Sequence, residues 1–132
     1  MRQSEPINRK QNLEGPIASY VNAVNSGSQE DFSASFAADA VVVDVDRELR
    51  GIDAITAWAS ADIFGAEVHF DVLDVSERQG RTIVTVRVDG TFDRTGLPNP
   101  LVMKHEFGVA EGKIADLRIG FVIRAPAANS SA

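Results

Sequence analysis

The sequence holds a phenol, a carboxylic acid and an imidazole in settings suited to moving a proton. Tyr20 is the chain's one tyrosine, Asp44 interrupts the valine run Val41-Val42-Val43, and His105 is the titratable group in the alternating row Leu101, Met103, Phe107, Val109. A carboxylate among valines loses hydration, which raises its pKa and makes it a stronger base than an exposed one. A phenol or imidazole held nearby can donate a hydrogen bond to an oxygen on which negative charge develops. A donor and a base around an apolar cavity are the minimum apparatus for proton transfer beside a carbonyl. Each residue also has a plainer reading: Asp44 at a strand end facing water, Tyr20 bonded to a backbone carbonyl in the core, His105 a satisfied core histidine.

The elements that would position these groups follow from periodicity. Pro16 suits a first helical turn, and Ile17, Tyr20, Val21 and Val24 recur at helical spacing, which predicts a buried helical stripe ending at Gly27. Ser28 can cap a second helix with Glu30 and Asp31 in its first turn and Phe32 and Phe36 on one face, stopping near Ala38-Asp39. The β-branched run Val41 to Asp46 predicts a strand leading into a polar turn, Arg47 to Gly51. Ile52, Ile55, Trp58 and Ala59 predict a third helix with Gly65 near its end. From Val68 the period becomes two, with Val68, Phe70 and Val72 on one side and His69, Asp71 and Leu73 on the other, up to a Gln79-Gly80 hairpin turn.

Arg81 to Phe92 alternates again, with Val84, Val86 and Val88 turned one way and Arg87 and Asp89 the other. Asp93 to Pro100 reads as a loop on a cavity rim. The row Leu101 to Val109 then turns at Glu111-Gly112 into a last strand, Lys113 to Ile123, with Ala115, Leu117, Ile119, Phe121 and Ile123 as its apolar side. Three helices followed by a meander of strands is an α+β order. The expected solution is a curved, mostly antiparallel sheet with the three N-terminal helices packed over its concave face. Such a shape leaves a cone-shaped apolar cavity between helix and sheet.

Composition narrows the classes. The 132 residues suit one domain, expected over 14–124 between a polar N-terminal segment, 1–13, and a flexible tail, 125–132. The net charge of −6, without a basic run, argues against nucleic acid, and no window is apolar enough for a membrane span. The N-terminus lacks the apolar middle of a signal peptide, which makes the cytoplasm the expected compartment. With no cysteine and with His69 and His105 far apart, neither a metal nor another cofactor is expected. No nucleophile elbow, phosphate loop or inward Asp-Arg-Asp set is visible.

Three stretches carry a family likeness: Ala18 to Gly27, Phe36 to Asp44 with Gly51 opening the third helix, and His105 to Ile114. In order and spacing they resemble the nuclear-transport-factor-2-like (NTF2-like) superfamily, and within it the ketosteroid isomerases and SnoaL-like polyketide cyclases. The resemblance implies the cone-shaped fold. It also implies a cofactor-independent isomerase or cyclase acting on a small apolar carbonyl compound, or, alternatively, a noncatalytic ligand-binding or dimerisation module on the same scaffold. By position, Tyr20 matches the tyrosine that donates to the enolate oxygen and Asp44 the aspartate that shuttles the proton. The family's third residue, a protonated aspartic acid that also donates, is missing; its place falls at or beside His105, with Lys104 the other candidate. The pocket wall is assigned to Val24, Phe36, Trp58, Met103 and Phe107; Asp46 is either a second carboxylate at the mouth or part of a solvated turn, and Asp116 has the wrong parity to face inward. A homodimer through the outer sheet face is also implied.

Overall fold

The computed structural model describes residues 13–122. Most of the N-terminal segment read over 1–13, the tail read over 125–132, and Ile123 of the last apolar row lie outside these residues. Helix α1 (Gly15–Ser26) carries proline in its first turn and buries Ile17, Tyr20, Val21 and Val24. Gly27, in the left-handed region at φ 76°, ends it by returning its N–H to the carbonyls of Ala23 and Val24. Helix α2 (Gln29–Ala34) is capped by Ser28 Oγ, which accepts from the Asp31 N–H at 3.2 Å. Helix α3 (Ile52–Ala59) runs into a π-helical turn, Ser60–Phe64, and buries Ile55, Trp58 and Ala59. No helix among the described residues is long and apolar enough to cross a membrane.

Six strands form one sheet: β1 (Phe36–Asp44), β2 (Arg47–Arg50), β3 (His69–Arg78), β4 (Arg81–Asp89), β5 (Val102–Ala110) and β6 (Lys113–Phe121). Their order is β2-β1-β6-β5-β4-β3, antiparallel throughout except where β1 lies parallel to β6. The cone-shaped NTF2-like architecture expected from the resemblance is the one observed, with the helices over the concave face. Asn25 helps to fix α1 in place: its side-chain amide acts as a strand backbone would, donating to Phe70 O at 3.0 Å and accepting from Phe70 N–H at 2.8 Å.

The structure corrects four local readings. The second helix stops at Ala34, and Phe36 opens β1, because pairing with β6 takes over: Ile114 N–H donates to Ser35 O and Phe36 stands opposite Ile114. The β1 strand therefore starts five residues earlier than its valine run. Arg47 to Arg50 form strand β2 instead of a polar turn, because the chain reverses at Val45-Asp46 and pairs back on β1. Finally, irregular registers break the simple alternation at two places. Between Val72 and Asp74 the shift turns Val75 to the buried side, while Leu73 stays exposed as alternation placed it; between Gly108 and Val109 it exposes Val109 and puts Ile114 into the core in place of Ala115.

Candidate active site

The sheet register assembles the site. Asp44 and His105 are both partnered with Ile119, one from β1 and the other from β5. Directly opposed residues share a face, and each strand spacing is near 4.8 Å, so the carboxyl and imidazole project from backbone positions roughly 10 Å apart on the concave side. Tyr20 comes down from α1 onto this row, its ring centroid 5.9 Å from that of His105, 5.3 Å from Phe107 and 6.0 Å from Phe70.

Tyr20, Asp44 and His105 line one cavity of about 220 Å³. Trp58 and Met103 also line it, whereas Val24, Phe36 and Phe107 do not. Those three are buried behind the wall, where Phe36 and Phe107 pack edge-on against the Tyr20 ring. They orient the phenol without touching the empty space. Lys104, the other candidate for the missing acid, is exposed, as the alternation of β5 requires with His105 turned inward. Asp46 is exposed in the turn after β1 and is not on the cavity wall.

The electrostatics differ at the three polar groups. Asp44 is half-buried, and its Oδ2 accepts a hydrogen bond from the Trp58 indole at 3.0 Å. Loss of hydration raises its pKa; the indole bond and Arg47 pull it back, while Asp62 and Asp46 push it further up. Tyr20 is only 1 % exposed, and burial, reinforced by the Asp44 charge, drives its pKa far above the ordinary phenol value, so the hydroxyl keeps its proton. His105, 3 % exposed, is pushed down to about 3 by burial alone, which leaves it a neutral imidazole. The Tyr20 hydroxyl and His105 Nδ1 are the buried side-chain polar atoms without a hydrogen-bond partner among the described residues. Leaving such a buried group unpaired costs about 1–3 kcal/mol, so both retain hydrogen-bonding capacity that no described side chain or backbone group uses.

Sequence reasoning missed several residues of the site. Asp62 lines the cavity and is held by Arg47 through an ion pair of 3.0 Å, which brings Asp44, Arg47 and Asp62 together at the mouth where no such grouping was expected. The available signal was the spacing of Trp58 and Asp62, four positions apart and hence on one helical face. Phe92, just before the stretch read as a rim loop, also lines the cavity, and Leu97 lines it from within that loop, as expected. No group of three or more His, Cys, Asp or Glu side chains among the described residues is placed to hold a metal ion.

Comparison with known proteins agrees with the fold. The profile of the SnoaL-like domain matches residues 17–117, and the chain belongs to that family. None of the curated proteins matches it in sequence. Among solved structures, a Sinorhizobium meliloti protein assigned as a polyketide cyclase is 26% identical with a TM-score of 0.76, covering 86% of this chain and 100% of its own. The epoxide hydrolase/cyclase-like enzyme SalBIII, which takes part in pyran ring formation in the polyether salinomycin, is 22% identical with a TM-score of 0.66, over 82% of this chain and 88% of its own. A Catenulispora acidiphila protein with a ketosteroid isomerase-like fold is 16% identical with a TM-score of 0.66, over 80% and 83% of the two chains.

Proposed function

We propose that the protein is a cofactor-independent enzyme of isomerase or cyclase type that moves a proton beside the carbonyl of a small, largely apolar compound. The observation that carries this is the pair of unpartnered buried atoms, Tyr20 hydroxyl and His105 Nδ1, in the cavity that also holds the desolvated carboxylate of Asp44. Asp44 accepts the proton from the carbon next to the carbonyl as the electron pair moves onto oxygen. Tyr20, kept protonated by its burial, donates to that oxygen. His105, kept neutral, supplies a second donor through whichever ring nitrogen carries its proton, in the role that a carboxylic acid fills in ketosteroid isomerases. Asp44 then returns the proton to a different carbon, and the double bond has migrated; in a cyclase the same enolate attacks an internal electrophile.

The cavity sets the size of the part of the substrate that it holds. By the scale on which a 150 Å³ cavity holds benzene, about 220 Å³ accommodates roughly nine non-hydrogen atoms. That is smaller than a steroid. A homodimer through the uncovered outer face of the sheet belongs to the same reading, and sedimentation equilibrium tests it.

The activity is tested by following double-bond migration in a panel of small β,γ-unsaturated ketones with the wild type and Asp44→Asn. Loss of turnover in the variant is the expected result, and equal rates would remove Asp44 from the mechanism. The replacement of the expected acid by His105 favours a second reading, a noncatalytic ligand-binding module. Tight binding of these ketones without turnover by the wild type would select it.

A further inference from the structure

The rim of the cavity carries an unusual balance of charge. Two carboxylates, Asp44 and Asp62, line the cavity, and among the described residues no lysine or arginine does. The nearest cation, Arg47, is the cross-strand partner of Asp44 in the β1–β2 ladder. Its guanidinium nevertheless binds Asp62, Nη1 to Oδ2 at 3.0 Å, while Asp44 takes its hydrogen bond from Trp58. Arg47 is thus paired with Asp62; it is near enough to pull the Asp44 pKa down, but among the described residues Asp44 has no ion-pair partner. The other groups around Asp44 do not restore positive charge: Asp46 adds a negative one, Tyr20 keeps its proton and His105 is neutral.

We propose that the Arg47–Asp62 pair is a charge filter, in which Asp62 occupies the arginine beside the cavity mouth that would otherwise greet an anionic substrate, and so restricts the cavity to uncharged or cationic compounds. Free keto acids and phosphorylated compounds are excluded on this basis, and the matching esters or simple ketones are admitted. The filter deepens the substrate class of the proposed active site, but its test does not require that site to be catalytic.

Two features make the test direct. Trp58 is the chain's single tryptophan, it lines the cavity and it is bonded to Asp44, so its fluorescence reports occupancy without turnover. The probes are levulinate and its methyl ester, which share a ketone and differ in charge. The wild type is expected to bind the ester in preference to the acid. Asp62→Asn frees Arg47 and should narrow that preference by about fivefold, the scale of an exposed ion pair, and Arg47→Gln should widen it by a similar factor. Both changes should fade in high salt. A preference unchanged in both variants, or shifted in the same direction by both, overturns the filter. If the preference moves as expected while Asp44→Asn turns over ketones as fast as wild type, the filter stands and the catalytic reading falls.

Discussion

The two faces of the same three strands handle polar groups in opposite ways. On the convex side, Arg81 of β4 reaches across to Glu106 of β5 and Asp116 of β6, with Nε to Oε2 at 2.5 Å and Nη2 to Oδ2 at 2.5 Å. Every member of that triad has a charged partner. On the concave side, one residue away along β5, His105 Nδ1 has no partner among the described residues, and neither has the Tyr20 hydroxyl above it. The convex groups are a third exposed and are satisfied by one another; the concave ones are buried and have no such partner among the described residues. Polar residues serve the structure where they are paired and point to chemistry where they are not.

This contrast can be broken most sharply at the base. Asp44→Asn keeps the shape and the contact with Trp58 but loses the proton acceptor, and kcat for ketone isomerisation should fall by about 10²–10⁴-fold. Next in size is Tyr20→Phe, which should cost about 10²–10³-fold in kcat. The same change should leave the protein as stable as before or raise its stability by about 1 kcal/mol, because it removes an unpaired buried hydroxyl. Activity lost with stability kept is the mark of a group held for ligand; a marked fall in stability, measured by urea unfolding, would show that Tyr20 has a structural partner.

The third effect is one of pH. In the unfolded chain His105 has its ordinary pKa near 6.5, and in the folded protein it is pushed down to about 3. Between those values the unfolded state binds more protons, so stability falls as the pH drops through this window, by at most about 1.4 kcal/mol per pH unit. Asp44, with its pKa raised in the folded state, works in the opposite direction at the acid end and offsets part of the loss. Urea midpoints measured at about pH 7 and about pH 5 should therefore diverge for the wild type and converge in His105→Leu.

The smallest effect belongs to the convex face. Arg81→Met should lower stability by up to about 1 kcal/mol, less in high salt, and leave kcat and KM unchanged. Gly108→Ala tests the same triad without removing a charge, since a Cβ there would lie 2.7 Å from Arg81 Nη1 and closer still to Asp116 Oδ1. A change in kcat from either substitution would mean that the two faces are coupled through β5.

The legibility of the sequence follows the same division. Helix α1, the Gln79-Gly80 and Glu111-Gly112 turns and the inward direction of His105 were all readable, because each depends on local periodicity or turn chemistry. The start of β1 was not, because Phe36 is drawn into the sheet by Ile114, far along the chain. Strand β2 was hidden for a similar reason: Arg47-Glu48-Leu49-Arg50 is polar, and its pairing with β1 overrides composition. Asp62 escaped notice because its place at the mouth depends on where α3 lies against the sheet. Val24, Phe36 and Phe107 have the right faces, but the aromatic layer is deeper than alternation alone can reveal.

The parallel pairing of β1 with β6 has a consequence for how the protein acquires its site. Asp44 and His105 are neighbours only because Ile119 stands between them, partnered with each. Until the last strand is in place, the proposed base and the proposed donor belong to two unconnected pieces of sheet, one from the first third of the chain and one from the final quarter. Pairings so distant in sequence form late, after the local hairpin β3–β4 has had its chance to close. The constellation is complete only in a sheet where β6 lies between β1 and β5.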